Sequence, residues 1–156
     1  MTPTDLIHLR QALAVAQRAR DNGNHPFGAI LVDEADQPLL EAENTVNTAR
    51  DCTGHAETNL VRLASARLSA EQRVRCTLYT STEPCAMCAG AIHWSGIGRV
   101  VFALSEADLY DLVGPSPEHL RLPCRDVFSH TRRAVEIRGP APELDAEARA
   151  VHAGFW

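Results

Sequence analysis

Residues 51–68 read DCTGHAETNLVRLASARL and place His55 and Glu57 two positions apart at the predicted start of an amphipathic helix. Taken alone, the pattern is typical of an ordinary surface helix. Thr53 is a suitable N-cap, and an acidic residue in the first turn is favoured by the helix dipole. Whether His55 and Glu57 do more depends on what the rest of the chain brings to them.

A second stretch, TEPCAMC at residues 82–88, places Cys85 and Cys88 with C-x2-C spacing at the start of another predicted helix. This spacing suits a single tetrahedral metal ion, but it also describes a thioredoxin-like redox pair or half of a structural zinc site. Together with His55 it gives three protein ligands and an open fourth position, the pattern of a catalytic zinc ion. Glu57, beside that position, is then free to accept a proton.

The remaining pattern predicts an α/β protein, and Thr4 is the expected N-cap of its first helix. A weaker signal, SEADLYDL, predicts one or two helical turns after the last buried strand. The order of elements describes a three-layer α/β/α sandwich, in which a central mixed five-stranded sheet has helices on both faces. Helices are predicted at 4–21, 53–68, 84–96 and 142–156, and strands at 27–32, 38–44, 76–81, 97–104 and 133–139.

Bulk properties limit the classes of function. A chain of 156 residues fits one domain, 1–156, and its formal net charge of −5 disfavours a polyanion binder. No apolar run reaches the length of a membrane span, and the first residues lack the form of a secretory signal. We therefore expect a cytoplasmic protein that binds no membrane, with its five cysteines reduced, metal-bound or catalytic.

At these residues the chain resembles the zinc-dependent cytidine and deoxycytidylate deaminase superfamily, which has the pattern H-x-E…P-C-x-x-C. The segments HPFGAILV, AEN, HAE, LYTSTEPCAMCAGAI and IGRVVFA follow in the order expected for its guanine deaminase and tRNA adenosine deaminase branch. The resemblance covers roughly residues 5–104. It implies a cytidine deaminase-like fold, one Zn²⁺ per subunit and a homodimer.

The resemblance also implies a mechanism and a set of contacts. Zinc activates a water at neutral pH, hydroxide attacks the ring carbon bearing the amine, and Glu57 shuttles protons to the ring and to the departing ammonia. Asn44, the backbone N–H of Ala56 and the carbonyl of Ser81 match groups that hold the base. Phe27 and Trp94 are candidates for apolar walls. Each of these also has an ordinary structural interpretation: a turn residue for Asn44, core packing for Phe27 and helix-end packing for Trp94.

The substrate predicted from the sequence is a small amino-heterocycle, with guanine first. Segment 140–156 carries Glu143, Asp145 and Glu147 against Arg149 alone, which argues against the alternative of a tRNA adenosine deaminase and makes nucleic acid an unexpected partner. Guanine deaminases have an acidic residue after the VVFA strand, for which Glu106 and Asp108 are candidates. They also cover the pocket with C-terminal residues, here Phe155 and Trp156, so 140–156 is a possible lid.

A different class of function stays open at this point. If Cys52 or His93 supplied a fourth ligand, the zinc site would be closed and structural. Cys85 and Cys88 could instead form a redox pair without metal. Both alternatives leave Glu57 without a role, and the redox pair leaves His55 unexplained as well.

Overall fold

The computed structural model describes all 156 residues, and its centre is one sheet of five strands in the order β2-β1-β3-β4-β5. Strand β1 pairs antiparallel with β2 and β3, whereas β3, β4 and β5 run parallel. The predicted mixed five-stranded sheet is confirmed. The strands are β1 (Gly28–Val32), β2 (Pro38–Glu43), β3 (Thr77–Thr82), β4 (Arg99–Leu104) and β5 (Glu136–Arg138).

Helices cover both faces of this sheet, as predicted. On one face α1 and α8 enclose a core around Leu9, Ile30 and Tyr79, and on the other α3, α5 and α7 enclose a core around Leu31, Leu60 and Leu78. None of the helices is long and apolar enough to cross a membrane. The helices are α1 (Pro3–Asp21), α2 (Val46–Ala49), α3 (Ala56–Arg67), α4 (Ala70–Arg75), α5 (Ala86–Ser95), α6 (Glu106–Val113), α7 (Cys124–Ser129) and α8 (Asp145–Ala150).

Two glycines let these layers meet. A Cβ at Gly28 would lie 2.3 Å from the backbone nitrogen of Ala16, so only glycine lets α1 cross the start of β1 this closely. Gly96 ends α5 in the left-handed conformation at φ 87°, the usual stop for a helix that is followed at once by a strand.

The structure corrects several predicted boundaries. Thr2, not Thr4, caps α1 in a capping box with Asp5, and α3 begins at Ala56 with His55 as its N-cap, so Thr53 lies in the preceding turn. The final helix ends at Ala150, and turns follow it to Phe155.

The short helices α2, α4 and α7 were missed because each has too few residues to show a hydrophobic period. For α4 a signal was present, since Ser69 and Gln72 form a capping box.

Candidate active site

The site lies where the N-termini of α3 and α5 meet the carboxyl end of β3. His55 and Cys85 are the N-cap residues of α3 and α5, and Cys88 is one turn further along α5. Since the N-terminal ends of both helices carry partial positive charge, the point between them favours thiolates and other negative charge. The two sequence motifs are therefore brought together by the packing of α3 against α5.

Three ligand atoms converge at this point. Nδ1 of His55 lies 3.6 Å from Sγ of Cys85 and 3.6 Å from Sγ of Cys88, and all three atoms lie within 4.8 Å of one another. Zinc bonds of about 2.1 Å to nitrogen and 2.3 Å to sulfur at the tetrahedral angle require an N–S separation of about 3.6 Å. The residues present therefore fit a zinc ion.

The cluster has three protein ligands and no fourth. Cys52 is exposed and His93 packs against Trp94, and neither belongs to the cluster. The closed structural site considered from the sequence is thus not formed. An ion held by three protein ligands keeps a position for water, and zinc in such a site lowers the pKa of that water toward about 7.

Glu57 is held beside the cluster in a buried position, with 5% of its surface exposed. Its Oε1 accepts a hydrogen bond of 2.7 Å from the Thr80 hydroxyl, and its Oε2 lies 3.4 Å from Sγ of Cys88. Burial raises the pKa of the Glu57 carboxyl, and the Thr80 hydrogen bond partly opposes this effect. One oxygen is therefore fixed by the strand, and the other faces the three ligands.

A cavity of about 400 Å³ opens over this centre. His55, Glu57 and Cys85 are among its lining residues, and the outer wall comes from the chain beyond β4. No arginine or lysine lines it. The other lining residues are His25, Phe27, Thr82, Glu83, Glu106, Leu109, Tyr110, Val113, Gly114, Ser116, Glu118, His119 and Trp156.

Hydrogen bonds and stacking organise the outer wall. The carboxylate of Glu83 accepts from the backbone N–H of Glu106 at 3.1 Å and from that of Cys124 at 3.1 Å, so it ties the loop before Cys85 to α6 and α7. The Tyr110 hydroxyl donates to Oε1 of Glu106 at 3.1 Å, and its ring stacks on His119 at 3.9 Å between centroids. Burial raises the pKa of the Glu106 carboxyl.

Only some of the predicted substrate contacts line the cavity. Phe27, Glu106 and Trp156 line the cavity. Asp108 and Phe155 do not line it: Asp108 pairs with Arg149, and Phe155 packs near His25 and Arg20. Trp94 is 85% exposed on α5 and contacts His93, so this chain alone does not bring it to the cavity. For Trp94, Asp108 and Phe155 the geometry departs from the expectation.

Asn44, Ala56 and Ser81 are buried, and none of the three is among the residues that line the cavity. Oδ1 of Asn44 accepts from the N–H of Val46 at 3.1 Å, as in the turn interpretation, while its Nδ2 is buried without a protein partner. Ala56 is the first residue of α3, where backbone N–H groups have no acceptor within the helix. The Ser81 hydroxyl accepts from the N–H of Gly28 at 3.2 Å.

Comparison with known proteins identifies the family. Residues 3–104 match the cytidine and deoxycytidylate deaminase zinc-binding region, which includes both motifs and all three ligands. The chain belongs to the cytidine and deoxycytidylate deaminase family. Membership makes it a zinc-dependent deaminase and overturns the metal-free redox alternative.

Relatives of this deaminase act on different substrates. It is 45% identical over 158 residues to a probable cytosine deaminase of Schizosaccharomyces pombe, covering 100% of this chain and 94% of that protein. It is 40% identical over 101 residues to the guanine deaminase of Bacillus subtilis, 64% of each chain. The structure of guanine deaminase from Nitrosomonas europaea is similar with a TM-score of 0.74 at 25% identity, covering 96% of this chain and 82% of that one.

Proposed function

We propose that this deaminase acts on a free nucleobase, with cytosine as the first candidate substrate and guanine as the second. The observation that carries the proposal is the lining of the cavity. Its floor is the zinc centre with Glu57, and its wall holds Glu83, Glu106 and Glu118 with no arginine or lysine. Such a lining suits a neutral heterocycle with N–H donors and offers no arginine or lysine to a phosphate group.

In the proposed reaction Glu57 carries the protons. Its Oε2, on the side of the three ligands, accepts a proton from the attacking water and delivers it to the ring nitrogen beside the reacting carbon. The water oxygen forms a bond to that carbon. Glu57 then takes the second proton, from the hydroxyl now on that carbon, and passes it to the exocyclic amine; the carbon–nitrogen bond breaks, ammonia leaves and the hydroxyl oxygen remains as a carbonyl. A single buried carboxyl thus acts first as base and then as acid.

The choice between the two bases depends on the part of the chain that forms the outer wall. Glu106, Tyr110, Glu118, His119 and Trp156 all lie after residue 104, where the matched family region ends. The S. pombe relative matches 100% of the chain at 45% identity, whereas the B. subtilis guanine deaminase matches 64% of the chain and the N. europaea guanine deaminase covers 96% of it at only 25% identity. This difference favours cytosine over the guanine that the sequence suggested first.

Guanine is kept as the second candidate because of one residue. Guanine deaminases resemble this chain in having an acidic residue after the VVFA strand, and of the two candidates Glu106 is the one that lines the cavity. A carboxyl in the wall of the cavity is suited to accept an N–H from a purine whose amine faces Glu57.

Transfer RNA is a poorer fit, because no arginine lines the cavity and the only arginine of segment 140–156, Arg149, is paired with Asp145 and Asp108. A polyanion approaching this face would meet carboxylates without a neutralising charge. Within that segment, Trp156 is the residue that supports the proposed lid over the pocket.

The test is ammonia release by zinc-quantified protein from cytosine, guanine, cytidine, guanosine, adenosine and a tRNA anticodon stem-loop, with Glu57→Ala as control. We expect release from cytosine, with no activity in Glu57→Ala at unchanged zinc content. Release from guanine alone would reverse the order of the candidates. Release from the stem-loop alone would refute the argument from the cavity lining.

We also infer assembly as a homodimer. The resemblance implies it, and an 85% exposed tryptophan on α5, with Met87 exposed on the same helix, is a surface that a partner subunit would cover.

A further inference from the structure

The strand that carries the site presents two threonines on the same face. Side chains alternate along a strand, so Leu78, Thr80 and Thr82 of β3 point to one side of the sheet and Tyr79 and Ser81 to the other. Leu78 packs in the core beneath α3 and α5, and Tyr79 in the core beneath α1. Thr80 and Thr82 therefore both point toward the layer that carries the zinc ligands.

The two hydroxyls differ in their partners. The Thr80 hydroxyl is fully used, since it donates to Oε1 of Glu57 at 2.7 Å. The Thr82 side chain lies one strand period closer to Cys85 and lines the cavity together with Glu57 and Cys85. Only 3% of Thr82 is exposed, yet its Oγ1 has no hydrogen-bond partner in the protein.

A buried hydroxyl without a partner destabilises a protein by roughly 1–3 kcal/mol compared with an apolar group of the same shape. Valine has the shape and the strand preference of threonine and lacks this penalty. The unpaired hydroxyl therefore needs a role in the bound state.

We propose that Thr82 is a specificity-determining residue whose hydroxyl donates a hydrogen bond to the base, at a carbonyl oxygen or ring nitrogen next to the reacting carbon. This inference rests on the proposed function in naming a base as the ligand. It assigns Thr82 a contact separate from those of Glu57 and Glu106. The cost of the unpaired Thr82 hydroxyl in the free protein is relieved when a base accepts its hydrogen bond. The hydroxyl therefore selects for ligands that have a hydrogen-bond acceptor next to Thr82.

The test is Thr82→Val, which removes the hydroxyl and keeps the shape, beside Thr82→Ser, which keeps the hydroxyl. Thr77→Val makes the same change at the other end of β3, outside the cavity. We expect Thr82→Val to lower kcat/KM about tenfold, the value of one neutral hydrogen bond. We expect Thr77→Val to stay within about twofold of the parent, and Thr82→Ser, which keeps the hydroxyl, to lose clearly less activity than Thr82→Val. At the same time Thr82→Val should melt higher than the parent by about 2–4 °C, because it removes an unpaired buried hydroxyl.

A second readout needs no turnover. In the inactive Glu57→Gln background, calorimetry with cytosine and with guanine should show about tenfold weaker binding when Thr82→Val is added. A lower melting temperature for Thr82→Val, or unchanged base affinity and kcat/KM, would overturn the assignment.

Failure of the proposed function has a different signature. It would appear as no turnover of either base by the parent enzyme, and the melting temperature would then decide whether Oγ1 of Thr82 is unpaired in the free protein. A rise would support the assignment, and a fall would overturn it.

Discussion

Replacing Thr80 by valine should slow turnover without weakening substrate binding. The Thr80 hydroxyl is the only hydrogen-bond donor from the strand to Glu57, at 2.7 Å from Oε1, and both residues are buried. Valine keeps the volume and the branching of threonine. The change therefore removes the hydrogen bond that holds Oε1 of Glu57, together with a longer contact of 3.4 Å to the carbonyl of Gly28.

The size of the effect follows from the type of bond. A hydrogen bond to a charged group contributes about 1.5–3 kcal/mol, and 1.36 kcal/mol corresponds to a factor of ten in rate. If Glu57 loses this bond, its backbone stays in place on α3, but its carboxyl group is no longer held in one orientation. We expect kcat to fall between about 10-fold and 150-fold. Because Thr80 does not line the cavity, KM should change by less than about threefold.

The assay is steady-state ammonia release on the base that the parent enzyme turns over, with the zinc content of each preparation measured. Thr80→Ser is the matched control, since it retains the hydroxyl and loses only a methyl group, and it should keep kcat within about threefold. Equal kcat for the valine and serine variants would refute the orienting role. A rise in KM with unchanged kcat would show that Thr80 serves binding instead.

Three further predictions concern the centre, the C-terminal segment and the exposed face. A chelator that removes zinc should lower the melting temperature of the parent by several degrees, because an ion that binds only the folded state stabilises it. His55→Ala should show no such response in calorimetry. His152 is 1% exposed, and burial together with the Arg20 charge lowers its pKa from 6.5 to about 4. The buried neutral imidazole therefore contributes its full stability above pH 6.5. This contribution to the free energy of unfolding, about 3 kcal/mol, is lost as the pH falls from 6.5 through 4. Denaturant titrations give the fall in unfolding free energy between pH 7 and pH 4. This fall should be smaller for His152→Phe than for the parent by about 3 kcal/mol, and an equal fall in both proteins would contradict the assignment. Trp94→Glu should shift the sedimentation coefficient from dimer to monomer at an unchanged melting temperature, and an unaltered coefficient would place the dimer contact elsewhere.

The chemical centre was predictable because its information is local. His55 and Glu57 share one helix start, and Cys85 and Cys88 share another, so each pair is fixed by spacing alone. Only the meeting of the two pairs depends on tertiary structure. The topology supplies it, because α3 and α5 both lie on the same face of a sheet with β3 in the middle.

The wall of the cavity was not predictable to the same degree. Glu83 stands next to a zinc ligand in the sequence, but its role depends on receiving N–H groups from residues 106 and 124, which no local pattern indicates. Tyr110 lies in the weakly predicted helix α6 and His119 in the irregular stretch that follows it, and their stacking depends on the path of the loop between them.

Thr80 and Thr82 are an intermediate case, because strand alternation could have placed both on the face of the zinc site. Only the structure shows that one of the two hydroxyls is occupied and the other is not.

The division between centre and wall has a functional consequence. The zinc ligands and Glu57 all lie before residue 104, on two helix starts, and of these residues Cys88 and Glu57 are buried. Most of the residues that line the cavity lie after 104, on α6, the loop that follows it and the C-terminal turn. A change in the second part can therefore alter which amine is presented to Glu57 without disturbing the zinc ligands. The relatives of this chain include a probable cytosine deaminase and a guanine deaminase, and this division directs the search for the basis of specificity to the wall.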